Sequence, residues 1–98
     1  MARKEICIDC PITKTIRLLS DSRTMLVARS LLQKRKHFCE LERDLPGIST
    51  RTLTLKLRKL EEEGIIRKTK DAYYETTEKG KGLRMIERAM KKYGEQFL

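Results

Sequence analysis

Ninety-eight residues with 23 lysines and arginines against 14 acids carry a formal charge of +9, a balance that suits a polyanionic partner, nucleic acid before membrane. The length supports one modest core, so a single domain over residues 1–98 is expected. No apolar run is long enough to span a bilayer, and no apolar segment follows the basic start as a signal peptide requires. The cysteine count of three is odd, which points to free thiols in a cytoplasmic chain rather than a disulfide framework.

Residues 1–9 form a short basic lead. Pro11 suits the first turn of a helix in which Ile12, Ile16 and Leu19 share a face. Ser20-Asp21-Ser22 breaks that helix and caps the next, with Met25, Leu26, Ala28, Leu31 and Leu32 as its expected core. Gln33-Lys34-Arg35-Lys36 is a basic connector. A short helix from about Cys39 to Asp44 would bury Leu41 and, just beyond it, Leu45.

The stretch from Leu45 to Arg67 organises the chain. Pro46-Gly47 forces a turn, Ser49 sits where a helix N-cap belongs, and Gly64 suits a left-handed stop. At about 100° per residue, Leu53, Leu57 and Leu60 share one face, while Arg51, Thr54, Leu55 and Arg58 share another. An apolar back with a threonine and arginine front is the pattern of a recognition helix, here about residues 49–63. The major groove admits one helix, and its bases are read near that helix's N-terminal end. Arginine can bond a guanine edge twice, threonine can bond either edge, and an apolar group can cover a thymine methyl. Ser49, Thr50, Arg51, Thr54, Leu55 and Arg58 are therefore the candidate contacts.

After Gly64, Ile65-Ile66-Arg67-Lys68-Thr69-Lys70 is strand-like, Lys70-Asp71-Ala72 turns it, and Tyr73-Tyr74-Glu75-Thr76 returns. This hairpin, about residues 65–76, makes a basic wing carrying Arg67, Lys68 and Lys70 toward the phosphate backbone, where contacts supply affinity and register. Thr77 caps a final helix in which Leu83, Ile86, Met90, Tyr93 and Phe97 are spaced 3, 4, 3 and 4 apart. That is an a/d seam, able to pair with another subunit or to pack on its own domain. The predicted class is mostly α with a small β-hairpin (α+β), a winged helix-turn-helix.

Other chemistries find little to build on. Cys7-x-x-Cys10 with His37-x-Cys39 is too loosely spaced for zinc. One histidine, with neither a phosphate-binding glycine loop nor paired carboxylates, argues against an enzyme. No metal or cofactor is expected. A winged-helix protein-interaction module is the alternative, because a fold does not fix its use.

The residues also resemble a known family. Cys10-Pro11, Leu18-Leu19, Leu31-Leu32, Phe38, Glu40-Leu41, Leu45-Pro46-Gly47-Ile48-Ser49, Arg51, Leu53-Thr54, Leu57, Leu60-Glu61 and Gly64 resemble the HxlR-type transcriptional regulators, relatives of the MarR winged-helix proteins. The match resumes at Tyr74, Thr77 and Gly80. The resemblance implies a homodimer on a roughly palindromic double-stranded DNA operator, with the first and last helices at the interface. Ile12, Ile16, Leu83, Ile86, Met90, Tyr93 and Phe97 would then be its interface residues. In some relatives the cysteine before the proline senses oxidants or electrophiles, which makes Cys10 a redox candidate, Cys7 a resolving partner, and a small-molecule or oxidant inducer conceivable. The chain departs from the pattern at Ser20-Asp21-Ser22-Arg23, where Gly-Gly-Lys-Trp is usual, at Leu55 and Thr76, and in a shorter wing.

Overall fold

The computed structural model describes residues 10–19 and 21–98. Helix α1 (Pro11–Leu18) begins with proline at its first position, where a missing amide costs nothing, and Cys10 is the N-cap in extended backbone. Leu18 and Leu19 pack against the core, whereas Ile12 and Ile16 are exposed. Helix α2 (Ser22–Gln33) is capped by Asp21, whose carboxylate accepts from the Thr24 amide at 2.8 Å and from its hydroxyl at 3.1 Å.

The buried stripe of α2 is Thr24, Val27, Ala28, Leu31 and Leu32. This corrects the expected phase: Met25 is only half-buried and Leu26 is 42% exposed. Residues 25–28 are all apolar, so periodicity had no polar member to fix the angle there. The decisive residue is Thr24, a fully buried threonine three positions before Val27.

A second correction lies in the connector. Lys36–His37 is a strand, β1, and the expected two-stranded hairpin is a three-stranded antiparallel sheet ordered β1-β3-β2. Helix α3 (Phe38–Asp44) starts directly after it and buries Leu41. Helix α4 (Thr50–Glu62) turns Leu53, Leu57 and Leu60 fully inward. It ends as expected at Gly64, with φ of 77°. The Ile65 amide donates to the Leu60 carbonyl at 2.9 Å and the Gly64 amide to that of Glu61 at 3.0 Å, which is a Schellman motif.

Ile65 belongs to that buried joint rather than to the strand, which is β2 (Ile66–Lys68). It pairs with β3 (Tyr73–Thr76), Arg67 opposite Glu75 and Lys68 opposite Tyr74. The tip closes through the Ala72 amide on the Thr69 carbonyl (3.0 Å) and the Thr69 amide on that of Tyr73 (2.7 Å), with Ala72 left-handed at φ 65°. The single C-terminal helix expected after Thr77 is two, α5 (Glu78–Lys81) and α6 (Leu83–Phe97), parted at Gly82. Glycines at 80 and 82 lower helix propensity there. Leu83 is 5% exposed and joins the core contributed by α2, α3, α4 and β2. Among the described residues, no helix is long and apolar enough to cross a membrane.

Candidate nucleic-acid interface

The back of α4 is locked into the core, so its front is fixed in angle. Arg51, Thr54, Leu55 and Arg58 are all exposed, Leu55 by 51%. Neither Arg51 nor Arg58 is in an ion pair among the described residues. Thr54 donates its hydroxyl to the Thr50 carbonyl at 2.8 Å and, being exposed, retains its oxygen as an acceptor. Two of the predicted contacts have structural duties. Ser49 accepts from the Thr52 amide at 3.1 Å as the N-cap, and Thr50 donates to the Glu42 carboxylate at 2.8 Å.

The remaining cations of α4 turn sideways. Lys56 pairs with Asp21 at 2.6 Å, and Lys59 donates to the Arg17 carbonyl at 3.4 Å. The Lys56 ammonium, joined by the Thr24 amide, holds the Asp21 carboxyl down to about 2. The wing is similarly divided. Arg67 is paired across the ladder with Glu75 at 2.7 Å, Lys68 lies 5.6 Å from the Tyr74 ring, and Lys70 is exposed at the tip. Arg51, Arg58, Lys68 and Lys70 are therefore the outward positive charges of the candidate face.

The edge strand that sequence reasoning missed supports the wing. His37 stacks on Tyr73 with ring centroids 3.8 Å apart, and the Arg35 guanidinium lies 4.2 Å from the Tyr73 ring. His37 is also the N-cap of α3, its amide donating to the Glu40 carboxylate at 2.8 Å. Its signal was a polar residue three before a glutamate. Beside it Lys36 is 4% exposed, donating to Ser30 at 2.8 Å and Gln33 at 3.2 Å and pairing with Asp44. That ammonium, with help from Ser30, holds the Asp44 carboxyl below its ordinary range. A lysine among four polar residues carries no mark of burial, so nothing in the sequence could have found it.

The expected interface seam is split. Leu83 lies in the protomer's own core and Ile86 packs partly against it, while Met90, Tyr93 and Phe97 are exposed with Ile12 and Ile16. The Tyr93 and Phe97 rings lie 4.9 Å apart. Cys10 and Cys39 are free thiols, and Cys7 is outside the described residues. The Thr13 amide, then that of Ile12, lowers the Cys10 thiol from its ordinary value, although no capping hydrogen bond to sulfur forms. Among the described residues there is no cluster of three potential metal ligands.

The profile of HxlR-like helix-turn-helix proteins matches residues 18–98. The chain belongs to that family. It is 37% identical over 97 residues to the HTH-type transcriptional regulator sll1512 of Synechocystis sp., covering 91% of this chain and 70% of that one. Two solved structures share its architecture. Quinone-bound YodB from B. subtilis superposes with a TM-score of 0.83 at 29% identity, covering 90% of this chain and 100% of that chain. Redox regulator HypR in its reduced form gives 0.80 at 30% identity, covering 89% and 92%. This HxlR-like chain is thus a winged-helix transcriptional regulator and not an enzyme. The family match begins at Leu18, so Cys10 and most of α1 lie outside it.

Proposed function

We propose that the chain is a homodimeric regulator that binds duplex DNA, with α4 in the major groove and the β2–β3 wing on the neighbouring backbone. The observation that carries the reading is the front of α4, where Arg51, Thr54 and Arg58 stand exposed on a helix whose back is completely buried. Such a helix presents the donors of Arg51 and Arg58 and the acceptor oxygen of Thr54 to base edges on a backbone that is already ordered. Lys68 and Lys70 then add sequence-independent affinity. Met90, Tyr93 and Phe97 on α6, with Ile12 and Ile16 on α1, supply the apolar surface for a second copy.

Duplexes selected from a random pool test the reading by filter binding. Arg51→Ala should cost about 1–3 kcal/mol on the selected site and relax base preference, while Lys70→Ala should weaken all sequences alike. Binding should also fall steeply with salt. Absence of any complex at low salt would leave the protein-interaction module. The thiol-responsive part of the proposal rests on Cys10 and on two relatives, YodB with a bound quinone and HypR in reduced and oxidised forms. A cytoplasmic setting, where thiols are kept reduced until an oxidant arrives, suits such a device.

A further inference from the structure

Apart from α4 and the hairpin tip, the C-terminal end of α2, strands β2 and β3 and the α5–α6 junction line an open cleft of ≈ 300 Å³. Its charged lining is Lys34, Arg35, Arg67, Lys81 and Arg84, with Glu75 as the single carboxylate. No residue of α4 and none of the hairpin-tip residues 69–72 contributes to it. Of these five cations from four separate segments, Arg67 is paired with Glu75 and Lys81 with Glu78 at 3.5 Å. That leaves Lys34, Arg35 and Arg84 without a carboxylate partner among the described residues, and positive charge in excess.

The three arginines are also oriented. Arg84 spends one Nη2 donor on the Leu32 carbonyl at 2.8 Å, Arg67 spends Nε on Glu75 at 2.7 Å, and Arg35 lies against the Tyr73 ring at 4.2 Å. A guanidinium has five donors in a fixed fork, so each arginine retains donors for a ligand while its plane is already set. A concave site of this volume suits a compact small molecule rather than the convex surface of a duplex. We propose that this cleft binds a small organic polyanion bearing two or more carboxylate or phosphate groups. The ligand's negative groups would bridge Lys34 and Arg35 on one wall to Lys81 and Arg84 on the other, in competition with Glu75 for Arg67. The inference does not depend on the DNA-binding reading.

Calorimetric titration with citrate and with inorganic pyrophosphate, at constant ionic strength, tests it and separates the carboxylate from the phosphate source. Wild type should bind at least one of them saturably, one per chain. Lys34→Glu with Lys81→Glu should weaken binding at least about tenfold, because two attractive charges become repulsive. Arg23→Glu with Lys92→Glu, an equal change in net charge at two exposed positions outside the cleft, should leave it intact. Glu75→Gln should strengthen it several-fold by removing the competing carboxylate. Should the cleft double variant fail to fold, the citrate-induced rise in wild-type melting temperature, enlarged in Glu75→Gln, carries the same test. No saturable binding of either probe, equal losses in the two double variants, or a loss of duplex affinity with citrate binding unchanged would overturn the proposal.

Discussion

A Cβ added at Gly80 would lie 2.1 Å from the Ile65 carbonyl oxygen, which is backbone and cannot step aside. Gly80→Ala must therefore push α5 away from the Ile65 joint, and thermal unfolding should show a loss of about 1–3 kcal/mol. Gly94 is the counterpart. It lies inside α6 with nothing within 4 Å of a new Cβ, so Gly94→Ala should stabilise by about 0.5–1 kcal/mol. At the same scale, Cys10 stands half-buried at the head of α1 with its thiol lowered by the Thr13 and Ile12 amides. A larger thiolate fraction near neutral pH favours reaction with oxidants. Diamide should release wild type from DNA, dithiothreitol should restore the complex, and Cys10→Ser should lose the response. Equal behaviour of the two proteins would make Cys10 a packing residue.

At the scale of elements, the Asp21–Lys56 pair ties the start of α2 to the middle of α4. Asp21 has a folded pKa of about 2 against about 3.9 in an unfolded chain. Its contribution is therefore complete above about pH 4 and is lost as pH falls toward 2. Asn can still cap a helix, so Asp21→Asn isolates the ion pair from the cap. At pH 7 its cost should be about 1 kcal/mol or less, since the pair is partly open to water. Urea midpoints of variant and wild type should converge by about pH 2. Legibility also divides by element. Helix α4 was readable because its cap at Ser49, its leucine spacing and its stop at Gly64 are all local signals. Strand β1 was not, since two residues hold no period, and its partner Tyr73 is 36 positions past His37. In α2, Ala28, Leu31 and Leu32 are buried as expected, but Thr24 and Val27 take the buried places expected of Met25 and Leu26, for want of a polar residue within the apolar run.

Taken whole, the molecule leaves Met90, Tyr93 and Phe97 uncovered after Leu83 and Ile86 have been spent on its own core. Spacing treated the five as one seam and could not tell which end the domain would use. On the side of α4 away from the core, and at the wing tip, Arg51, Thr54, Leu55, Arg58 and Lys70 are exposed, which the leucine spacing and the turn at Lys70-Asp71-Ala72 made legible. Pairings that depend on distant residues, such as Arg67 with Glu75 and Lys56 with Asp21, were invisible to local pattern. If α6 joins two copies, Met90→Glu buries a charge and should give monomers in light scattering, with weaker operator binding. A wild-type monomer at micromolar concentration would rule the dimer out.

Thr77 is a small fastening between distant parts. Its hydroxyl reaches the Gly64 carbonyl at 2.6 Å and that of Ile65 at 3.1 Å, while its amide takes the Ile65 carbonyl at 2.9 Å. Through Ile65 the same joint holds the last turn of α4, the first residue of the wing and, by the Gly80 approach, the root of the C-terminal helices. The end of α4, the base of the wing and the root of α5 thus share one joint, so a displacement of the C-terminal helices is expected to reach α4 and the wing together. In a two-headed reader, each head would then rotate as a unit about the duplex axis. Control would act through the angular phase between heads, leaving the shape of each head unaltered.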